Sequence, residues 1–570
     1  MRLGFVRLNG LHLAALVLWW SPFVQAQWTN VSTATPVTPL AFSDVPSAKS
    51  LPSDGEKFDI GINSEPPLAT PHWLPNGTRV DSTAAIARSE AAHLDYEKAA
   101  ITAPPVDVGF QALPQGSISP PDTNGAAGPD HLLTMLNDRV RFQLRDGTEI
   151  STNSLSAFWA PLVVSSPFDP KTIYDPFSGR FIAVALSNRR SAGSAVLLAV
   201  SKTSDPAGGW YLWKFKADPA SVNWADYTYV GISDDKITFS TNLFTIASDS
   251  FTRVAVFVVD KATVLDGDPI TSSRIDTSTI SNLAPCTTYD AGIGTQYLVA
   301  VGIGNFANEG TLQIYRVTAG ALSAVLEQNS STAESAPWNL NLVAAPQGGT
   351  GTLIATNDDR VMNAVYRNGS IWTALTVFLP AGAPTSFPTR TGAKWWEVDP
   401  ELGETNQSGV IEDPSGDFFY YFPTLSVNAS DDVLVGFSGS SFSTFVGAYY
   451  AFREGTSPVS EISEATLLKV GEGPFSGPRW GDYSATMVDP IDDESFWTIQ
   501  EYADAGDRWA TWWGRIESAT GPPEPPDPPE PPDPDPLAGP LDGPVSWWWL
   551  LGAAIPILAT GLAVVKRRSM

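Results

Sequence analysis

Cysteine and histidine are almost missing from this chain. Cys286 is the one cysteine in 570 residues, which excludes an intramolecular disulfide and any Cys-rich metal cluster. Stability must therefore come from packing. Of the four histidines, only His72, His93 and His131 lie beyond residue 26, and only His131 lies in the repetitive body, so a His-rich metal centre and a Ser/His/Asp triad are poorly provided for. The sequence also lacks HExxH, a Gly-Xaa-Ser-Xaa-Gly elbow, a P-loop, a dinucleotide fingerprint and Ser-Xaa-Asp-Xaa-Gly-Xaa-Thr-Trp boxes. These gaps argue against a zincin, an α/β-hydrolase, a nucleotide-dependent enzyme and a sialidase. Positive charge is scarce as well: 34 Lys and Arg face 61 Asp and Glu, for a net charge of −27. Five of those cations, Arg2, Arg7, Lys566, Arg567 and Arg568, sit at the extreme ends. So acidic a body repels nucleic acid and anionic lipid.

What is present is apolar and aromatic residue content, 43% and 11%, enough for large cores. Residues 1–26 have the parts of a signal peptide: Arg2 and Arg7, the apolar run LHLAALVLWW (11–20), and small Val24 and Ala26 flanking Gln25. Export is expected, with the mature chain beginning at Gln27. At the other end WWWLLGAAIPILATGLAVV (547–565) has the length of a transmembrane helix, with tryptophans at one interface and Lys566-Arg567-Arg568 at the other. By the positive-inside rule residues 566–570 form a cytoplasmic tail and 27–546 lie outside. Between body and span, residues 518–546 form a Pro/Asp/Glu-rich stalk, with GPPEPPDPPEPPDPDPLAGP (521–540) in polyproline II. Such a stalk holds the body about 60 Å from the membrane. An acidic proline tract, an apolar span and a basic tail resemble bacterial C-terminal sorting tails. No LPXTG motif or Gly-Gly pair precedes the span, so a retained anchor and a processed tail are both open.

Residues 27–104 form a Ser/Thr/Pro-rich segment, partly disordered by composition, with a helix expected over TAAIARSEAAHLDYEKAA (83–100). From 105 to 517 the pattern changes to short β-branched and aromatic runs between Gly, Pro, Asn and Asp: FIAVALS (181–187), KITFSTNLF (236–244), VAVFVVD (254–260), VLVGFS (433–438). These are strands, and no βαβ alternation appears, which predicts an all-β antiparallel body. Three stretches share one plan: NWADYTYVGISDDKITFSTNLF (223–244), FYYFPTLSVNASDDVLVGFSGS (419–440) and RWGDYSATMVDPIDDESFWTIQEY (479–502). Each has an aromatic lead, a two-residue corner (Asp226-Tyr227, Phe422-Pro423, Asp482-Tyr483), a strand, an Asp-Asp turn and a second strand. DPKTIYDPFSGRFIAVALS (169–187) follows the plan loosely. With further units, about seven repeats are expected, each near the 40–60 residues of a four-stranded blade, which predicts a β-propeller.

The ordered landmarks PPDTNGAAGPDHLLTMLNDRVRFQLRDG (120–147), FDPKTIYDPFSGRFIAVALS (168–187), SKTSDPAGGWYLWKF (201–215), KWWEVDP (394–400) and the 479–502 stretch resemble a family of large secreted bacterial β-propeller proteins. The resemblance implies fold and export. It carries over no catalytic residue.

Two readings attach to each candidate site. Asp122, Asn124 and Asp130 in PDTNGAAGPDH place oxygen ligands as a Ca²⁺ site does, or close an Asx turn. Asp226 and Asp482, with Tyr483 and Arg479, are expected to ring a channel mouth, where they serve as acid and base on a polysaccharide or as structural caps. Trp224, Trp480, Trp395 and Trp396 form a sugar-stacking platform or pack blade on blade, and adjacent Trp395 and Trp396 must face opposite ways. The leading expectation is a non-catalytic surface module that binds a glycan or an envelope protein. The alternatives are a polysaccharide hydrolase or lyase and a passive structural surface protein.

Overall fold

The computed structural model describes residues 28–34, 37–41 and 101–518, apart from 302–310, 334–341, 381–387 and 478. Their strands form six sheets. Five of these are separate blades of a β-propeller, each an antiparallel meander whose first strand lies innermost. One blade contains Asn124–Ala127, His131–Met135, Arg139–Leu144 and Glu149–Ser154. The next contains Phe168–Asp175, Arg180–Ser187, Ala195–Ser201 and Gly209–Lys216. Further along are Ala284–Pro285, Gln296–Val301, Thr311–Thr318 and Val325–Ala333, and later Phe418–Val427, Val433–Ser441, Thr444–Arg453 and Thr466–Lys469. The last contains Ala485–Val488, Phe496–Asp504 and Arg508–Ile516, completed by Val106–Pro114 from the other end of the body. The sixth sheet has ten strands. Its runs Asn223–Ile232 to Ile270–Thr277 and Asn363–Arg367 to Thr405–Ile411 are joined by Thr287–Thr288, which pairs parallel with both.

Apolar alternation places the cores between neighbouring sheets. Val196, Leu198 and Phe215 of one sheet pack with Phe239, Phe257 and Val259 of the next, and Trp395 packs in one cluster with Leu425 and Phe437. At the closure Leu132 meets Trp497 and Trp513, while Val106 pairs with Ile516. Sharing a sheet between the two ends of the body ties the ring shut with backbone hydrogen bonds. Gly231 is required where the 284–288 segment crosses beneath it, since a Cβ there would collide with the Cys286 carbonyl.

Within the N-terminal segment expected to be partly disordered, two short strands are described. Trp28–Ala34 pairs antiparallel with Ile270–Thr277, and Val37–Ala41 with Gly209–Lys216. Outer blade strands expose unpaired N–H and C=O groups, so even a patternless Ser/Thr/Pro segment can be recruited as an extra strand. The helix expected over 83–100, the signal peptide, most of the stalk, the 547–565 span and the 566–570 tail lie outside the described residues. Among the described residues no helix is long and apolar enough to cross a membrane.

Candidate functional site

Inner strands are entered through a repeated corner. Asp122, Asp169, Tyr227, Asn282 and Phe422 all have left-handed backbone, with φ of 51–56°. That conformation costs an L-residue roughly 1–2 kcal/mol. Side chains of neighbouring blades offset the cost by accepting the corner N–H groups. Asp169 N–H donates to Asn137 Oδ1 at 2.8 Å, and Tyr227 N–H to the Asp169 carboxylate at 2.8 Å. Asn282 N–H donates to Asn242 Oδ1 at 3.0 Å, Phe422 N–H to Thr376 Oγ1 at 3.1 Å, and Asp482 N–H to the Asp122 carboxylate at 3.2 Å. Asn137 also donates to Pro120 O at 3.1 Å and to Asp122 at 2.5 Å, so Asn137→Ala is expected to cost about 1–3 kcal/mol in urea denaturation.

The corner residues converge on the axis and close one end of it. Arg479 donates to both oxygens of Asp482 at 2.5 Å, and Asn357 Nδ2 donates to one of them at 3.2 Å. Tyr483 packs edge-on against Tyr227 with ring centres 4.7 Å apart, and Arg360 lies 4.2 Å over the Tyr227 ring. Asp122, Asp169, Asp482, Tyr227, Tyr483 and Arg360 are all buried. Asp226 is buried too, with its carbonyl accepting the Thr241 hydroxyl at 2.9 Å. An open mouth ringed by Asp226, Asp482, Tyr483 and Arg479 is therefore replaced by a packed floor. Corner N–H groups draw Asp122 and Asp169 inward, and Arg479 and Asn357 hold Asp482.

The tryptophans are placed likewise. Trp224, Trp395 and Trp396 have no exposed surface, and Trp480 is 2% exposed. Trp224 donates to Asp249 at 3.0 Å, Trp480 packs on Phe475, Trp395 stacks with Trp372, and Trp396 packs on the opposite face of its strand. None presents a ring to a ligand. The calcium set is not brought together either. Asn124 Oδ1 accepts Thr172 N–H at 2.8 Å, Asp122 lies in the floor, and Asp130 is exposed in the turn beyond the far end of Asn124–Ala127. No group of three His, Cys, Asp or Glu suited to a metal occurs among the described residues.

Above the floor lies a cavity of about 290 Å³. Asn124, Lys171, Tyr229, Asn363 and Thr424 from inner strands, and Ser484 just before one, line it. Its rim includes Phe177, which is 47% exposed, and exposed Asp493, so it reaches the surface at the ends of the inner strands opposite the corners. Arg367 stands there between Asp493 at 2.6 Å and Asp290 at 3.7 Å.

Lys171 is the residue that sequence reasoning missed. Burial lowers its ammonium pKa to about 7, against the charges of Asp122, Asp169 and Asp482, which raise it. Its nitrogen lies 3.6 Å from the centre of the Tyr483 ring and 5.9 Å from that of Tyr229. Burial, then the Asp482 and Asp169 charges, push the Asp122 carboxyl well above the usual range, and burial also raises the Tyr483 phenol. Counted from the left-handed corner residue, Lys171, two past Asp169, falls where Asn124, Tyr229 and Thr424 stand two past Asp122, Tyr227 and Phe422, a register that the two-residue corners read from the sequence do not give.

No known family profile and no curated protein sequence matches the chain. Among solved structures, a Synechocystis apocarotenoid oxygenase is 15% identical, with 63% of this chain and 72% of that one aligned at a TM-score of 0.34. The α-L-arabinofuranosidase of Fusarium graminearum is 8% identical, covering 72% and 98% at 0.33, and Trypanosoma rangeli sialidase is 11% identical, covering 66% and 57% at 0.33. The likeness to those proteins is distant, and that the chain is a β-propeller rests on the sheet arrangement described above.

Proposed function

We propose that this is an exported, surface-held propeller that binds the end of a glycan in its axial cavity, without catalysing a reaction. The observation that carries the reading is the cavity itself, with small hydroxyls and amides such as Asn124, Asn363 and Thr424 set among apolar and aromatic side chains such as Ile173, Tyr229 and Met362, and open at one end. Its volume is at the lower limit of ligand pockets and suits one sugar ring better than a protein segment. The two halves of the ten-stranded sheet count as two blades in this reading, which makes seven. The resemblance to secreted bacterial propellers belongs here too, as do export by residues 1–26 and retention by the 547–565 span or a processed tail. The hydrolase or lyase alternative draws little support, because the acids named for it are buried in the floor, and Asp482 is already engaged by Arg479.

The test is retention of residues 27–520 on immobilised microbial and plant polysaccharides, with soluble products read by mass spectrometry. Thr287 lines the cavity and is half-buried. Thr287→Trp should fill it, abolishing retention at unchanged melting temperature. Release of oligosaccharides would refute the non-catalytic reading, and retention indifferent to Thr287→Trp would move the site to the outer surface.

A further inference from the structure

We propose that Lys171 is a nucleophilic amine that captures aldehydes, including the open-chain aldehyde of a reducing sugar, as a reversible imine in the axial cavity. The inference rests on the reading above that this cavity is the ligand site. Three independent features of the geometry support it.

The first is position. Lys171 is a wall residue of the cavity on the strand Phe168–Asp175, two residues past the left-handed corner Asp169. The second is how the amine is held. Among the described residues none forms a hydrogen bond or ion pair with its nitrogen, which rests instead against the Tyr483 ring. A desolvated amine without such a partner retains a lone pair for attack, the usual way a lysine is activated. The third is the company it keeps. Asp122, Asp169 and Asp482 are near enough to act on it through their charges, and burial pushes the Asp122 carboxyl well above the usual carboxylate range. A purely structural lysine would be expected to pair with one of these acids, as Lys261 does with Asp175 at 2.9 Å.

The chemistry balances without a further reactant. The neutral amine attacks the carbonyl carbon, and the amine proton moves to the former carbonyl oxygen, giving a carbinolamine. A protonated acid of the floor then supplies a proton to the hydroxyl, water leaves, and the nitrogen lone pair closes the C=N bond. Loss of the remaining N–H proton to that carboxylate restores the acid. Water reverses every step, so the adduct is a binding state and nothing is oxidised or reduced.

The experiment incubates residues 27–520 with glyceraldehyde and sodium cyanoborohydride at pH 7, then maps modified lysines by peptide mass spectrometry. Lys171 is expected to be labelled at least about tenfold faster than exposed Lys214 and Lys216, because ordinary lysines are almost wholly protonated at that pH. Lys171→Arg should abolish the site-specific label, and Thr287→Trp should slow it by blocking the cavity. Labelling of Lys214 and Lys216 with Lys171 untouched overturns the proposal. Polysaccharide retention, measured without reductant, separates the two readings. Retention sensitive to Thr287→Trp with no label on Lys171 leaves the glycan site standing and removes the imine; label on Lys171 without retention keeps the amine and removes the glycan.

Discussion

Asp489→Ala is expected to destabilise the protein by roughly 1–3 kcal/mol, the cost of leaving half-buried Arg145 and the buried Trp497 N–H without their acceptor, while Arg515 keeps Asp107, Asp492 and Glu517. The Asp489 side chain has no exposed surface and is shared by two arginines. Arg145, from the turn after Arg139–Leu144, reaches both carboxylate oxygens, and Arg515, from Arg508–Ile516, donates through Nε at 3.1 Å. Trp497 Nε1 adds a bond at 3.1 Å, with Arg145 lying 5.1 Å over the same indole ring. One carboxylate thus ties the blade that begins the ring to the blade that closes it. Asp489→Asn keeps an acceptor and loses the charge, so its penalty should be smaller than that of alanine but still measurable. Guanidinium denaturation monitored by tryptophan fluorescence reads both. A loss below about 1 kcal/mol for alanine would mean that the network is solvated and that closure depends on the Val106–Pro114 pairing and the packing of Leu132 with Trp497 and Trp513.

Lys171 should make stability rise with pH over an alkaline window. Its native pKa is about 7, below that of an unfolded lysine near 10.4. Between these values the unfolded chain holds a proton that the native protein has released, so the free energy of unfolding increases with pH. The burden of the buried ammonium is full below about pH 7 and disappears above about pH 10.4, a span on the order of 4 kcal/mol in the limit. Urea denaturation of wild type and Lys171→Met at pH 7 and pH 9.5 measures it. Wild type should gain more stability than the variant over that interval, and parallel pH dependences would show that Lys171 is charged in the native state throughout.

Much of the architecture was legible because strand repeats obey local rules. The shared corner in 223–244, 419–440 and 479–502 exposes the repeat, and its residues carry the bulge: register shifts occur at Tyr227 and at Phe422-Pro423. The opposite facing of Trp395 and Trp396 follows from the two-residue period of a strand, and the structure places them in different cores. The candidate site was less legible. Asp226 and Asp482 read as channel-mouth acids because acid, tyrosine and arginine together look like chemistry. In the structure the Asp482 carboxylate is held by Arg479 and Asn357, while corner N–H groups are accepted by Asp122 and Asp169, and sequence spacing does not distinguish an acid facing solvent from one facing a neighbour's side chain or amide.

The sequence by itself determined an all-β propeller and its repeated corner, because alternation and turn chemistry act over a few residues, and it left the tryptophans open between sugar stacking and blade packing. Tertiary structure alone decided which end of the axis is closed, that Val106–Pro114 completes the last blade, that Trp28–Ala34 and Val37–Ala41 join outer edges, and that Lys171 stands in the cavity. Each of these depends on groups far apart in the chain, brought together only when the ring closes. Desolvation of the Lys171 amine and of the floor carboxylates arises at that step, from the combined burial by all the inner strands rather than from any local motif.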